Sequence, residues 1–211
     1  MADRDWLSGF APEVAPALLG ARLAHRTDEG LVVVELTEVE AYDGPDDPAS
    51  HAWRGRTPRN GVMFGPPGFL YVYFSYGIHW CANVVCGRDG EASAVLLRAG
   101  RVVGGEDLAR ERRGPRVADR SLARGPACVT QALGIDRRHY GVDLCAGGRL
   151  SLTRGDPPGR VSSGPRVGVS RAADVPWRFW AEGDETVSAY KRSPRTDAPA
   201  APPPTPNDPA R

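Results

Sequence analysis

Lysine is almost missing from this chain. Lys191 is the single example among 211 residues, and arginine supplies the rest of the 27 basic side chains. Covalent catalysis through a lysine needs its amine beside the reacting bond, and Lys191 stands near the end of the sequence that carries structural signals. Schiff-base chemistry is therefore not expected. Metal ligands are sparse too. Cys81, Cys86, Cys128 and Cys145 form no C-x-x-C pair, and His25, His51, His79 and His139 form no H-x-x-x-H. Structural zinc gathers its ligands in close pairs, so no metal or other cofactor is expected, and the cysteines read as reduced, mostly buried thiols. No apolar run reaches eighteen residues, so no transmembrane helix is expected. The N-terminal Met1-Ala2-Asp3-Arg4-Asp5 puts no basic patch ahead of an apolar stretch, and cytoplasmic location is the default. The chain also lacks G-x-G-x-x-G, G-x-x-x-x-G-K-[ST] and G-x-S-x-G, the signals of dinucleotide, P-loop and hydrolase-elbow sites. What remains open is water-using acid/base chemistry from a carboxylate.

Composition describes a globular protein, with 41% hydrophobic and 25% charged residues and a net charge of +1. The length suits one domain with a real core. We place that domain at residues 1–192. Residues 193–211, with Pro202-Pro203-Pro204, form a tail too poor in apolar side chains to bury a core and expected to be disordered. Because the net charge is small, nucleic-acid affinity has no global signature. Seven arginines between Arg101 and Arg124 fit a phosphate-binding stripe. They fit a solvated, flexible loop better.

The pattern predicts a helix over 13–20, closed by Gly20, then strands over 21–26 and 31–42 joined at Thr27-Asp28-Glu29-Gly30. Alternation along the second strand puts Val34, Leu36, Glu38, Glu40 and Tyr42 on one face. Two carboxylates beside an aromatic suit the wall of a polar cleft. Residues 43–68 form a long loop, of the kind that is functional when found in a compact domain. An aromatic strand over 69–76 and its return over 78–86 leave Tyr76 at a hairpin tip, as a packing residue or as a wedge between bases. A buried strand over 92–99 carries Arg98, which needs an acidic partner or an anionic ligand. A helix starts at Pro126 and stops at Gly134. Short strands follow at 150–152 and 177–181.

An ordered set of motifs runs from about Leu18 to Ala189: Glu38-Val39-Glu40-Ala41-Tyr42, Ala49-Ser50-His51, Thr57-Pro58-Arg59-Asn60, Leu70-Tyr71-Val72-Tyr73, Asn83, Val95-Leu96-Leu97-Arg98-Ala99, Gly125-Pro126 and Arg166-Val167-Gly168-Val169. This series resembles the alkyladenine (3-methyladenine) DNA glycosylase family of the mammalian type. The resemblance implies a mixed α/β (α+β) single domain, a curved antiparallel sheet with surrounding helices. It implies a monofunctional enzyme that flips a damaged purine out of double-stranded DNA and hydrolyses its bond to the sugar. By position, it makes Glu40 the base that activates water, with Arg98 and the Val167 carbonyl holding that water. Tyr42, His51 and Tyr73 become the walls of the base pocket, Asn83 the group that disfavours guanine, and Tyr76 the intercalating residue. A monomer is expected.

The residues alone leave alternatives. Glu38 shares a face with Glu40 and competes for the role of base. A binding protein that senses damage without catalysis, and a hydrolase acting on free nucleosides, are the rival functions.

Overall fold

A computed structural model describes residues 4–75 and 77–196. Helix α1 (Ala11–Ala17) precedes the hairpin of β1 (Arg22–Thr27) and β2 (Gly30–Tyr42). A loop with two 3-10 turns leads to β3 (Leu70–Ser75), β4 (His79–Val85) and β5 (Ala94–Gly104). Then come α2 (Glu106–Arg113), β6 (Ala123–Arg124), α3 (Pro126–Leu133), β7 (Leu150–Thr153), β8 (Val161–Gly164) and β9 (Arg178–Ala181). The nine strands form one sheet in the order β3-β4-β5-β2-β1-β7, with β6 on β5, β9 on β2 and β8 on β9. Each of these pairings is antiparallel. The expected mixed α/β domain, an antiparallel sheet with helices around it, is the architecture found.

Strand β2 is the spine. One edge pairs with β5 along most of its length. The other pairs with β1 over Gly30–Glu35 and then with β9 over Glu38–Glu40. Between those partners the register against β5 slips, so that Leu36 faces Gly100 but Glu38 faces Ala99. Val39 then faces Leu97, so Thr37 on β2 and Arg98 on β5 are each skipped, and a skipped residue reverses the faces of its strand. Val32, Val34 and Leu36 enter the core, and after the slip Val39 and Ala41 do. This corrects the simple alternation: Glu38, Glu40 and Tyr42 lie opposite the face of Val34 and Leu36. The bulge is what frees a charged stretch from the core.

Helix α1 begins at Ala11, with Phe10 as an extended N-cap and a proline in the first turn. Gly20 then turns the chain at φ +82°, where a Cβ would come within 1.9 Å of the Asp156 carbonyl oxygen. Helix α3 starts at Pro126 and ends on Gly134 at φ +68°, as expected.

The segment 101–124 is not a loose loop. Strand β5 runs on to Gly104 and α2 follows, with Glu106 and Asp107 in its first turn and three arginines in its last. Those charges complement the helix dipole. Its arginines also have protein partners. Arg112 donates to Glu29 at 2.7 Å and to the Ala132 carbonyl at 3.1 Å, and Arg113 donates to the Leu122 carbonyl at 2.9 Å. Arg101 pairs with Asp184, and Arg124 holds the Val187 carbonyl. The segment is thus braced by contacts to the protein, and Arg101 and Arg124 make theirs at the surface.

The expected tail boundary at residue 193 falls in a turn closed by the Thr196 N–H on the Ser193 carbonyl, and the rest of the tail, 197–211, lies outside the described residues. No helix among the described residues is long and apolar enough to cross a membrane.

Candidate active site

A cavity of about 640 Å³ opens on the sheet face exposed by the Thr37 bulge. Glu40, Tyr42, His51, Tyr73, Asn83, Arg98 and Val167 all line it. Its floor comes from β2, β4 and β5, and one wall from β3. The other walls are the loops carrying His51 and Val167. Tyr76 falls on a position outside the described residues. Its neighbours place two large apolar side chains in solvent, Phe74 at 45% and Ile78 at 68% exposure.

Glu40 is fully buried and borders the cavity. Its Oε1 accepts the Val167 N–H at 2.7 Å and lies 3.3 Å from Arg98 Nη1. Its Oε2 accepts the Tyr42 hydroxyl at 2.9 Å. A carboxylate offers about four lone-pair positions. Three polar neighbours leave room for one more donor, which a water in the cavity can be.

Glu38 is placed differently. Its Oε1 takes Arg98 Nε at 3.0 Å, Arg178 Nε at 2.6 Å and the Ser188 hydroxyl at 2.9 Å, while Oε2 takes the Ser188 N–H at 2.6 Å. It does not line the cavity. The two candidate carboxylates therefore separate by environment. Glu38 is consumed by structure, and Glu40 keeps capacity toward the cavity. Arg98 serves both ends of its dual reading, since it is ion-paired to both carboxylates and lines the cavity.

The aromatic walls stay neutral over a wide pH range. Burial is the main cause that drives the Tyr42 and Tyr73 hydroxyls well above their ordinary pKa, and the nearby Glu40 adds to both. His51 is pushed down to about 4, first by desolvation among the walls and then by the charge of Arg59. It is a neutral imidazole at neutral pH. Its ring meets Tyr73 edge-on at 4.5 Å, and its Nδ1 lies 3.0 Å from the Tyr71 hydroxyl. Asn83 is pinned by donating Nδ2 to the Tyr71 carbonyl at 3.2 Å.

Several contributors had no role in the sequence reading. Tyr71 orients His51 and Asn83 together. Arg59 lies 5.6 Å over the Tyr73 ring. Arg166 is fully buried behind Tyr42: its guanidinium grips Asp47 at 2.5 and 2.9 Å, donates to the Ala41 carbonyl, and lies 4.8 Å from the Tyr42 ring. That anchor precedes Val167, so it also fixes the N–H given to Glu40. The only prior signal was its place in the Arg-Val-Gly-Val motif. Among the described residues, no three of His, Cys, Asp and Glu come together to hold a metal ion.

The arrangement can hold a flat, electron-poor ring between uncharged aromatic faces while a carboxylate takes a proton from water. Residues 5–185 match the family model described as methylpurine-DNA glycosylase. A protein of Streptomyces avermitilis named "Putative 3-methyladenine DNA glycosylase" is 56% identical over 193 residues, covering 89% of this chain and 91% of its own. Proteins of the same name from Frankia casuarinae and Nocardia farcinica are 53% and 54% identical, covering 86% and 87% of this chain and 89% of their own lengths.

Proposed function

The chain belongs to the methylpurine-DNA glycosylase family, and from that premise we propose that it removes alkylated purines from DNA by hydrolysis, with Glu40 activating the water. The product is an abasic site, the starting point of base excision repair. The observation that carries the reading is the split between the two carboxylates: Glu38 is saturated by four donors, whereas Glu40 faces an aromatic-walled cavity with one position free.

A purine stacked in a duplex hides its sugar carbon, so the nucleotide must rotate out. Unstacking costs a few kcal/mol, least for a damaged or mispaired base. Tyr76, the intercalating residue that the family resemblance implies, offsets part of this by filling the gap. Once extruded, an N-alkylated purine is a cation, and aromatic faces attract cations by about 0.5–2 kcal/mol. Tyr42, His51 and Tyr73 form that enclosure, and the neutral His51 does not repel the charge. Asn83, held against the Tyr71 carbonyl, crowds the 2-amino group of an undamaged guanine, which has no positive charge to offset that cost.

Bond cleavage moves the glycosidic electron pair onto the base nitrogen, which leaves as a neutral base. The sugar becomes oxocarbenium-like and the nearby Glu40 carboxylate stabilises it. Water adds to the sugar carbon and its proton passes to Glu40, with the Val167 carbonyl and Arg98 keeping the water in place. A cationic base needs no proton to leave, and no acid is required on its side. The cavity thus favours cationic lesions over neutral ones. One copy carries every group invoked, and we take the enzyme to act as a monomer in the cytoplasm on double-stranded DNA.

The test is base release from duplexes carrying one lesion each: 3-methyladenine, 7-methylguanine, hypoxanthine or etheno-adenine. The two methylated bases should leave fastest, with the strand intact. Equal release from free nucleosides would instead favour a nucleoside hydrolase.

A further inference from the structure

The stretch Asp184–Lys191 follows β9 and returns to the carboxylate cluster. From Thr186 onward it lies beyond the 5–185 stretch that the family model matches. Ser188 is its key contact. Its N–H donates to Glu38 Oε2 at 2.6 Å, its hydroxyl donates to Glu38 Oε1 at 2.9 Å, and the same oxygen accepts from Arg98 Nη2 at 3.2 Å. On either side, the Thr186 hydroxyl meets that of the bulge residue Thr37 at 2.7 Å, and the Lys191 carbonyl accepts the N–H of Gly168, beside Val167. Arg124 and Arg178 hold the strap from below through the Val187 and Ser188 carbonyls.

We propose that Ser188 is a positioning residue for the glycosylase reaction, acting through Arg98. A guanidinium is a rigid planar fork, so fixing two of its nitrogens directs the third. Glu38 fixes Nε and Ser188 fixes Nη2. Nη1 then has one direction left, toward Glu40 Oε1 at 3.3 Å. Glu38 is itself held by Arg178 and by the Ser188 N–H, so the Ser188 hydroxyl decides only the second fixed point. Without the hydroxyl, Arg98 keeps its bond to Glu38 but is free to pivot about it. The group that holds Glu40 and the water is then misaimed. The strap does not line the cavity, so substrate binding does not pass through Ser188.

This inference rests on Glu40 being the water-activating base, and its test separates the two. Single-turnover release from a duplex bearing one 7-methylguanine is measured for the full chain and for Ser188→Ala, Ser188→Thr and Ser188→Cys. Loss of the hydroxyl's hydrogen bond to the Arg98 guanidinium, the one that aims Nη1, corresponds to a rate constant about ten- to a hundredfold lower for Ser188→Ala. Affinity for the same duplex should stay within about twofold, since the contacts to the base are intact. Ser188→Thr, which keeps a hydroxyl, should recover most of the rate, and the weakly donating Ser188→Cys should fall between. A purely structural role would lower the fraction of active enzyme, and so the amplitude, while leaving the rate constant of the active molecules unchanged; that result overturns the proposal. So does a Ser188→Ala rate within twofold of the parent. If Ser188→Ala does not fold, the order Ser, Thr, Cys decides: equal rates contradict the inference. If the parent itself releases no base, the glycosylase reading fails first and this inference falls with it.

Discussion

Glu38 and Glu40 are two residues apart on the same side of β2, and the difference between them is who their neighbours are. Glu38 balances Arg98 and Arg178 in a buried cluster. Removing one partner from such a cluster costs roughly 3–5 kcal/mol, because a buried charge is left without compensation. Glu38→Gln should therefore show a clear drop in stability by urea unfolding. His51 makes a second residue-scale prediction. Its pKa in the folded chain, about 4, lies below the ordinary histidine value of 6.5. A depressed value means that the folded state resists the proton that the unfolded chain accepts. Stability is then full above pH 6.5 and declines as the pH falls toward 4. The ring is open toward the cavity mouth, so solvent screens part of the effect. His51→Phe should flatten this part of the stability profile, read by thermal melts across pH 4–7. An unchanged slope would show that His51 is protonated as easily in the folded chain as in the unfolded one.

Among the elements, strands rich in β-branched and aromatic residues were legible in the sequence, as were the ends of α3. Hydrophobic periodicity marks such elements directly. Three others were not. Thr37 interrupts nothing in composition, so the alternation appears to continue through a bulge that in fact reverses it. Helix α2 presents Leu108 and Ala109 among six charged residues, and so many arginines read as solvent or phosphate contacts when they are braces. The strap after β9 has no periodicity at all, because its worth lies in single hydrogen bonds to distant residues. The gathering of the site residues around one cavity was legible only through the order of the motifs. No spacing rule brings Val167 to Glu40 across 127 positions. The corrected view of α2 carries its own prediction. Arg113→Ala should lower stability by about 1–3 kcal/mol through its lost contacts to Leu122 and Gln131. It should leave the salt dependence of DNA binding unchanged. A phosphate contact there would instead reduce the slope of log K against log salt by about 0.9.

At the scale of the whole molecule, the sheet brings two sets of parts together. The bulged centre of β2 supplies the carboxylates, and loops from both halves of the chain supply the walls and the cations. Lysine scarcity has its consequence here as well. Lys191 gives its backbone carbonyl to Gly168, and the groups facing the cavity include no lysine. Borohydride added during turnover should trap no enzyme–DNA adduct, and the strand should remain uncut at the abasic product. The central claim is that Glu40 takes the proton from water. Glu40→Gln keeps the size of the side chain and removes the base. Measured under single turnover on a duplex with one 7-methylguanine, release should slow by about 10²–10⁴, while binding of the same duplex persists. Release at a rate within a few-fold of the parent would contradict the account.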